Sequence, residues 1–255
     1  MLLVPLSSRA LSKAAGAFLE TRASKALIPF FVKSNHIDLS EYDTSHMNCF
    51  NDCFSRKILP GRRPIDMQED HLIAPCDGLL SVWPVNGDTV LPVKQSHYTI
   101  SSLLKDNKLA DEYKDGVCLV YRLCVNHYHR YCYALSGPKS GNRFIKGVLH
   151  TVRPVALQAR PVFVENCREY TIIDSADFGK AIQMEVGAML VGKIHNYHEK
   201  AVVKRGEEKG MFLYGGSTII MLLKKGQVHI LPEILAASAR GEETDVRMGQ
   251  MVGKK

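Results

Sequence analysis

Near its C-terminus the chain reads Tyr214-Gly215-Gly216-Ser217-Thr218-Ile219-Ile220-Met221-Leu222-Leu223. The apolar, β-branched run predicts a buried strand, and the two glycines place Ser217 at the mouth of that strand. Glycine tolerates backbone conformations that other residues avoid, so this turn can hold a strained peptide beside a hydroxyl group. A serine in that position can attack the preceding carbonyl, although Gly-Gly-Ser by itself is far more often an ordinary turn.

Short strands and glycine-containing turns are predicted along most of the chain upstream of this turn. Further strands are predicted at residues 78–85, 89–93, 117–125, 162–164, 170–173, 181–186 and 189–194. Asn86-Gly87-Asp88 predicts a hairpin between the first two of them. Helices are predicted at 48–56, 99–104 and 232–240 and, from the apolar face formed by Leu11, Ala15, Phe18 and Leu19, near the N-terminus.

This pattern predicts an α+β fold in which N-terminal helices pack on a β-rich core of barrel or sandwich type. We divide the chain into a helical, membrane-associating region at residues 1–58 and a β-rich catalytic core at residues 59–255.

The composition favours an anionic partner. The net charge is +7 over 255 residues, and the first 34 residues carry five cations against the single anion Glu20. No basic stripe interleaved with aromatic residues follows, so a membrane surface is favoured over nucleic acid. The apolar run at 26–32 is far shorter than the ~20 residues needed to span a bilayer, which predicts a peripheral location on the cytoplasmic face of the cell membrane.

The cysteine pattern indicates a reducing compartment. There are seven cysteines, an odd number, and no C-x-x-C spacing. A disulfide framework and a structural zinc site are therefore both disfavoured, and we expect no metal.

Two more segments carry chemically active side chains. Asp77 lies in a Pro-Cys-Asp-Gly turn before a predicted strand, where it could orient a histidine, or could simply form the turn. His127 and His129 alternate in a segment that we interpret as extended, so both rings should point to one side. A neutral imidazole suits proton transfer, whereas an ordinary solvated strand end is the commoner role of any one histidine.

Together and in order, these pieces resemble the phosphatidylserine decarboxylase proenzyme family, in its shorter bacterial type with a Gly-Gly-Ser-Thr cleavage motif. The similarity extends from about Phe50 to Gly253. The matching segments are Phe50-Asn51-Asp52-Cys53-Phe54-Ser55-Arg56, Arg63-Pro64-Ile65-Asp66, Ala74-Pro75-Cys76-Asp77-Gly78, Tyr128-His129-Arg130, Glu165-Asn166-Cys167-Arg168-Glu169, and residues 186–192 and 204–218.

The resemblance implies that the chain cuts itself between Gly216 and Ser217. The products would be a β chain of residues 1–216 and an α chain of residues 217–255 that begins with a pyruvoyl group made from Ser217. That covalent cofactor would accept the electrons left by departing CO₂ when phosphatidylserine becomes phosphatidylethanolamine. Asp77 would support the base for cleavage, and His129 would return a proton to the substrate carbon. The resemblance also implies a homodimer of cleaved units.

Two positions depart from the family pattern Asp-Tyr-His-Arg-x-His. His127 stands at the aspartate position, and Cys132 stands where the family has the histidine assigned as the base for self-cleavage. Either Cys132 acts as a thiolate with a lowered pKa, or His129 serves both steps. Arg56, Arg62 and Arg63 are candidates for phosphate binding, although each is more commonly a solvated surface charge.

Two alternative functions share the same fold. The first is a pyruvoyl decarboxylase for a different amino-acid head group. The second is a non-catalytic membrane-surface relative, which the altered histidine motif favours and the retained Gly216-Ser217 pair disfavours.

Overall fold

A computed structural model describes residues 16–86, 89–93, 96–147, 166–187, 194–213 and 217–255. The predicted strand at 162–164, most of the predicted strand at 189–194, the helix face before residue 16, and Gly216 lie outside these residues.

The helices are short. Residues 16–19 are helical, and 3₁₀ turns span Arg22–Leu27 and Leu39–Glu41. The α-helices are α1 (Ile28–Ser34), α2 (Phe50–Phe54), α3 (Ile100–Leu104), α4 (Asn107–Asp111) and α5 (Pro232–Ala239). Pro29 occupies the first turn of α1. Backbone N–H groups in a first turn have no partner within the helix, so a proline is tolerated there and does not break the helix.

Strands make up the rest of the regular structure. They are β1 (Tyr42–Asp43), β2 (Lys57–Ile58), β3 (His71–Ile73), β4 (Gly78–Pro84), β5 (Thr89–Val93), β6 (Ser96–Thr99), β7 (Val117–Leu123), β8 (Arg130–Cys132), β9 (Gly137–Lys139), β10 (Arg143–Ile145), β11 (Arg168–Ser175), β12 (Gly179–Val186), β13 (Ile194–Asn196), β14 (Ala201–Val203), β15 (Glu208–Phe212), β16 (Ser217–Leu223), β17 (His229–Ile230), β18 (Thr244–Val246) and β19 (Met251–Lys254).

One nine-stranded antiparallel sheet organises the core. Its order is β14-β9-β11-β12-β16-β7-β4-β18, with β10 added to β11. Among the described residues its outer strands do not meet, so the barrel alternative is wrong, and the α+β class holds. The strand that follows Ser217 lies in the interior of the sheet, between β12 and β7.

Successive residues of β16 face two separate cores, as pleating requires. Ile219, Met221 and Leu223 face a core that is closed by the small sheets β13-β15-β8 and β17-β19-β3. Ile220 and Leu222 face a second core that is covered by α3 and α4. The seven residues of β16 are all buried, which explains why its sequence shows no polar alternation.

The predicted hairpin around Asn86-Gly87-Asp88 is wrong. β4 pairs with β7 and β18, and β5 pairs with β6. The turn signal is local, whereas β4 lies between β7 and β18 in the large sheet, where its Leu80 and Val82 are buried. Gly87 and Asp88 themselves lie outside the described residues.

A third apolar cluster joins the N-terminal region to this core. Phe31 of α1 packs on Phe50 and Phe54 of α2, with ring centroids 4.8 and 6.3 Å apart. Phe31 itself is buried, whereas its neighbour Phe30 is 78% exposed. α1 therefore directs the ring of Phe31 into the apolar cluster and leaves the ring of Phe30 exposed.

Candidate active site

Ser217 is the first residue of β16, and it is completely buried. It pairs with Leu123 of β7, and strand alternation places its side chain on the same face as Ile219. Its Oγ has no hydrogen-bond partner among the described residues. Burying a hydroxyl without a partner costs about 1–3 kcal/mol, so this serine is kept at an energetic cost, in an apolar setting and unengaged.

Two more buried polar atoms without partners lie on that face. Tyr121 of β7 and Glu185 of β12 are the register partners of Ile219, one on each side of it. Within the described part of the chain, neither Tyr121 OH nor Glu185 Oε1 has a hydrogen-bond partner. Because Ile219 and Ser217 are two residues apart on one strand, Tyr121 and Glu185 lie on the same face of the sheet as the serine, one residue pair further along.

Glu185 is also half of a fully buried ion pair. Lys209 Nζ of β15 lies 2.5 Å from Glu185 Oε2 and 2.8 Å from Asn196 Oδ1, and neither side chain of the pair is exposed. Burial raises the pKa of Glu185, and the nearby ammonium group opposes that rise. Neither residue was singled out from the sequence, because Lys209 follows two glutamates in a charged segment and the strand that holds Glu185 also carries the charged Lys180.

Asp77 holds an arginine, and no histidine is among its hydrogen-bond partners in the described residues. Arg63 donates from Nε at 2.9 Å and from Nη2 at 2.6 Å, and the amide of Met248 donates at 2.9 Å. A Cβ on Gly78 would lie 3.1 Å from the carbonyl oxygen of Arg122, so glycine lets this turn approach β7 closely. Asp77 therefore anchors the start of β4, and its support of a catalytic base stays a prediction.

His129 is buried, and its ring centroid lies 3.9 Å from that of Phe54, with the two ring planes tilted by 39°. Its Nδ1 lies 2.9 Å from the carbonyl oxygen of His127, and its Nε2 has no partner among the described residues. Since a carbonyl only accepts, Nδ1 carries the proton and Nε2 keeps a lone pair. Burial, reinforced by the charge of Arg56, lowers the pKa of this imidazole well below its ordinary value of 6.5.

The segment before His129 is a turn, so the extended interpretation of His127 and His129 is wrong. The amide of His127 donates to the carbonyl of Cys124 at 3.0 Å, and its ring Nδ1 accepts from the amide of Cys124 at 2.9 Å. The ring of His127 is therefore committed to its own turn. Of the two, His129 is the histidine whose ring has a buried nitrogen without a partner among the described residues.

Cys132 lies in β8 with 1% of its surface exposed. Its amide donates to the carbonyl of Pro75 at 2.8 Å, which brings it close to the Asp77 turn. Burial raises the pKa of the Cys132 thiol to about 12, the opposite direction from the one that a thiolate base requires. The buried thiol is neutral at physiological pH, so of the two alternatives for the missing base this environment favours His129.

The neutral burial of His129 predicts an acid-sensitive fold. Below pH 6.5 the unfolded chain binds a proton on this ring and the folded chain does not, so the free energy of unfolding decreases as the pH falls. Above that pH the ring is neutral in both states, and the full stability is retained. We expect His129→Gln to reduce the stability lost between pH 7 and pH 5 by about 2 kcal/mol, measured by urea unfolding. His229→Gln, at an exposed position, is the control. An equal acid response in both variants would contradict the prediction.

No described helix has the length and hydropathy to cross a bilayer. Among the described residues, His, Cys, Asp and Glu side chains form no group of three that could hold a metal ion.

Together with the site geometry, comparison with known proteins shows the family to which this chain belongs. The family model for phosphatidylserine decarboxylase matches residues 50–254, and the chain belongs to that family. It is 43% identical to phosphatidylserine decarboxylase proenzyme 2 of Clostridium acetobutylicum, covering 98% of this chain and 85% of that protein. The proenzyme of Clostridium botulinum is 40% identical (96% and 84% covered), and that of Clostridium perfringens is 38% identical (98% and 87% covered).

Proposed function

We propose that this chain is a proenzyme that breaks its own backbone between Gly216 and Ser217 and then converts phosphatidylserine to phosphatidylethanolamine and CO₂. The observation that carries the proposal is the buried Ser217 hydroxyl, which has no partner among the described residues, at the start of an interior strand. Membership of the phosphatidylserine decarboxylase family supports the substrate and the reaction.

Self-cleavage begins when Ser217 Oγ forms a bond to the carbonyl carbon of Gly216. The peptide C–N bond breaks, and a base passes the hydroxyl proton to the leaving nitrogen, which gives an ester. Elimination then removes the Cα proton of Ser217 and expels the carboxylate of Gly216, and hydrolysis of the product releases ammonia. Residues 217–255 are left with a pyruvoyl group at their N-terminus.

His129 is our candidate for the base. Its Nε2 carries a lone pair and no partner among the described residues, and its low pKa keeps it neutral at physiological pH. The amide of Phe212 donates to the carbonyl of His129 at 2.9 Å, so the His129 backbone lies beside the strand that leads to Ser217. Asp77 contributes by holding the Cys76–Asp77 turn next to Cys132 through Arg63.

The buried polar side chains on the Ser217 face of the sheet, Tyr121 and Glu185, suit a pyruvoyl group at position 217. Once formed, the group supplies a conjugated carbonyl that accepts the electrons left by departing CO₂. Burial raises the pKa of Tyr121 well above its ordinary value, so its hydroxyl stays protonated as a donor, and Glu185 Oε1 offers an acceptor on the other side. His129, after taking a proton on Nε2, returns it to the substrate carbon.

The test combines three measurements on purified protein. Intact mass spectrometry should show two chains that correspond to residues 1–216 and 217–255, the second without its serine nitrogen. A hydrazide reagent should label the second chain, and phosphatidylserine vesicles should yield phosphatidylethanolamine. A single unbroken chain of full mass would overturn the proposal. Two chains that act on a soluble amino acid and not on the lipid would instead favour the alternative head group.

The N-terminal region, residues 1–58, is the part that we assign to the membrane surface. Its described residues expose three large apolar side chains, at 48% for Phe18, 42% for Leu27 and 78% for Phe30. Exposed cations lie among them, namely Arg22, Lys25 and Lys33. Apolar side chains ringed by cations suit the headgroup layer of an anionic membrane, which supports a peripheral location on the cytoplasmic face. A homodimer of cleaved units rests on the family resemblance alone.

Removing one apolar contact from this surface should weaken membrane binding. We expect Phe30→Ser to lower the affinity for vesicles containing phosphatidylserine about tenfold, because a buried phenylalanine side chain contributes about 1.5–3 kcal/mol. Cosedimentation with vesicles measures the change. Val202→Ser is the matched control, since Val202 is 79% exposed on the edge strand β14. If both variants bind equally well, Phe30 is not part of the membrane surface.

A further inference from the structure

Arg56 is a buried arginine, 1% exposed, at the end of the segment that follows α2. In the described structure its hydrogen bonds go to main-chain carbonyls. Nη2 donates to Asn126 O at 2.7 Å and to His127 O at 3.0 Å, and Nη1 donates to Cys53 O at 3.4 Å. The guanidinium also lies 4.3 Å from the centroid of Tyr42. Of the two roles expected from the sequence, the solvated charge is wrong because Arg56 is buried, and phosphate binding stays a prediction.

The carbonyls that Arg56 binds belong to the turn that leads into His129. The oxygen of His127 receives two donors, the guanidinium of Arg56 and Nδ1 of His129. That oxygen decides the tautomer of His129, because it accepts the Nδ1 proton and leaves the lone pair on Nε2. A single nitrogen of Arg56, Nη2, donates to the carbonyls of two successive residues, which fixes the orientation of the peptide between them.

Phe54 completes the support of the ring. Its ring contacts that of His129, with centroids 3.9 Å apart, and it lies two residues before Arg56 in the chain. One short segment therefore contacts the imidazole ring through Phe54 and, through Arg56, binds the His127 carbonyl oxygen that accepts the Nδ1 proton. A positively charged neighbour also opposes protonation of the imidazole.

We propose that Arg56 is a positioning residue for His129: by holding the carbonyl of His127, it keeps the His129 ring in the Nδ1–H tautomer, with Nε2 available for proton transfer. The inference rests on the proposed function only in that His129 moves a proton during the reaction. The tautomer itself is a property of the folded chain and does not depend on that function.

The test compares Arg56→Gln and Arg56→Lys with Arg240→Gln, which makes the same charge change at an exposed site. Nitrogen-15 NMR of the histidine rings reports which nitrogen of His129 is protonated and the pH at which the ring titrates. We expect the Nδ1–H tautomer in the unaltered protein and in Arg240→Gln. In Arg56→Gln we expect a mixture of tautomers and a titration midpoint at higher pH. Arg56→Lys, which keeps the charge, should lose tautomer purity but keep a low midpoint.

Kinetics supply a second readout. We expect Arg56→Gln to lower kcat for phosphatidylserine by about 10- to 100-fold, with KM changed less than about twofold, because a misplaced catalytic group costs rate and not ground-state binding. Arg56→Lys should fall between Arg56→Gln and the unaltered protein. A purely structural arginine would reduce the amount of folded enzyme and leave tautomer, midpoint and kcat per folded molecule unchanged.

The outcomes separate this inference from the proposed function. If the unaltered protein carries the His129 proton on Nε2, the inference is overturned, whether or not any variant folds. It is equally overturned if Arg56→Gln folds with an unchanged tautomer and an unchanged kcat. If the unaltered protein makes no phosphatidylethanolamine, the proposed function fails, and the NMR measurements still decide the role of Arg56.

Discussion

Ser217→Ala is expected to leave one unbroken chain of full mass and to abolish phosphatidylethanolamine formation to the level of the background. Alanine offers no oxygen to attack the carbonyl of Gly216, so neither the ester nor the pyruvoyl group can form. The fold should survive, because the Ser217 hydroxyl makes no hydrogen bond in the described structure and alanine removes a buried polar atom without a partner. Its free energy of unfolding, measured in urea, should be unchanged or higher than that of an uncleaved chain that keeps the serine.

Ser238→Ala is the matched control for this variant. Ser238 is also buried, but its Oγ accepts a hydrogen bond from the amide of Val82 at 2.9 Å. Removing it should cost about 1–3 kcal/mol of stability while scission goes to completion. Two chains of the expected masses from Ser217→Ala would show that another nucleophile cuts the backbone, and the proposed chemistry would fail.

Lys209→Met is expected to cost about 3–5 kcal/mol of folding free energy, because it leaves the carboxylate of Glu185 buried with no cation beside it. Adding Glu185→Gln should recover most of that loss, since the double variant buries no charge and glutamine can keep its contact with Asn196. Urea unfolding in the uncleaved Ser217→Ala chain measures both changes, because a single chain unfolds as one unit.

An exposed ion pair of similar length is the control for burial. Lys224 lies 2.6 Å from Glu112, but the two side chains are 27% and 46% exposed. Lys224→Met should therefore cost less than about 1 kcal/mol. Equal losses in Lys209→Met and Lys224→Met would mean that water screens the Lys209–Glu185 pair as well as it screens the exposed pair.

Local sequence patterns located most of the longer strands and two of the helices correctly, and they missed most strands of two to four residues. Apolar runs predicted β7, β11, β12 and β16, and residues 99–104 and 232–240 became α3 with Thr99 as its cap and α5 with a proline in its first turn. The period of a strand and the cap of a helix depend on neighbours within a few residues, so one sequence carries them. The partner of β4 was not predictable in that way, because an Asn-Gly-Asp turn signals a hairpin but does not compete with burial beside β7.

The same distinction applies to the candidate site: local motifs identified its residue types, and contacts between distant segments were not predictable. The serine, the aspartate and the histidine were found as residue types in motifs, and their assigned roles remain predictions. Arg63 and Met248, which hold Asp77, come from both sides of it in the chain, and Met248 is 171 residues away. The sequence could not show that Lys209 and Glu185 would meet with no water, because each looks like an ordinary surface charge beside its own neighbours.

By itself, the sequence determined the mixed α+β class of fold and the family, and it singled out Ser217 as the candidate nucleophile, because these follow from local patterns of apolar residues, glycines and reactive side chains. The tertiary structure alone decided which groups are neutral and which are free. Burial raises the pKa of the Cys132 thiol and lowers that of the His129 imidazole. The carbonyl of His127, which Arg56 binds, accepts the Nδ1 proton of His129 and so leaves the lone pair on Nε2. Desolvation and hydrogen bonds between distant segments exist only once the chain has packed.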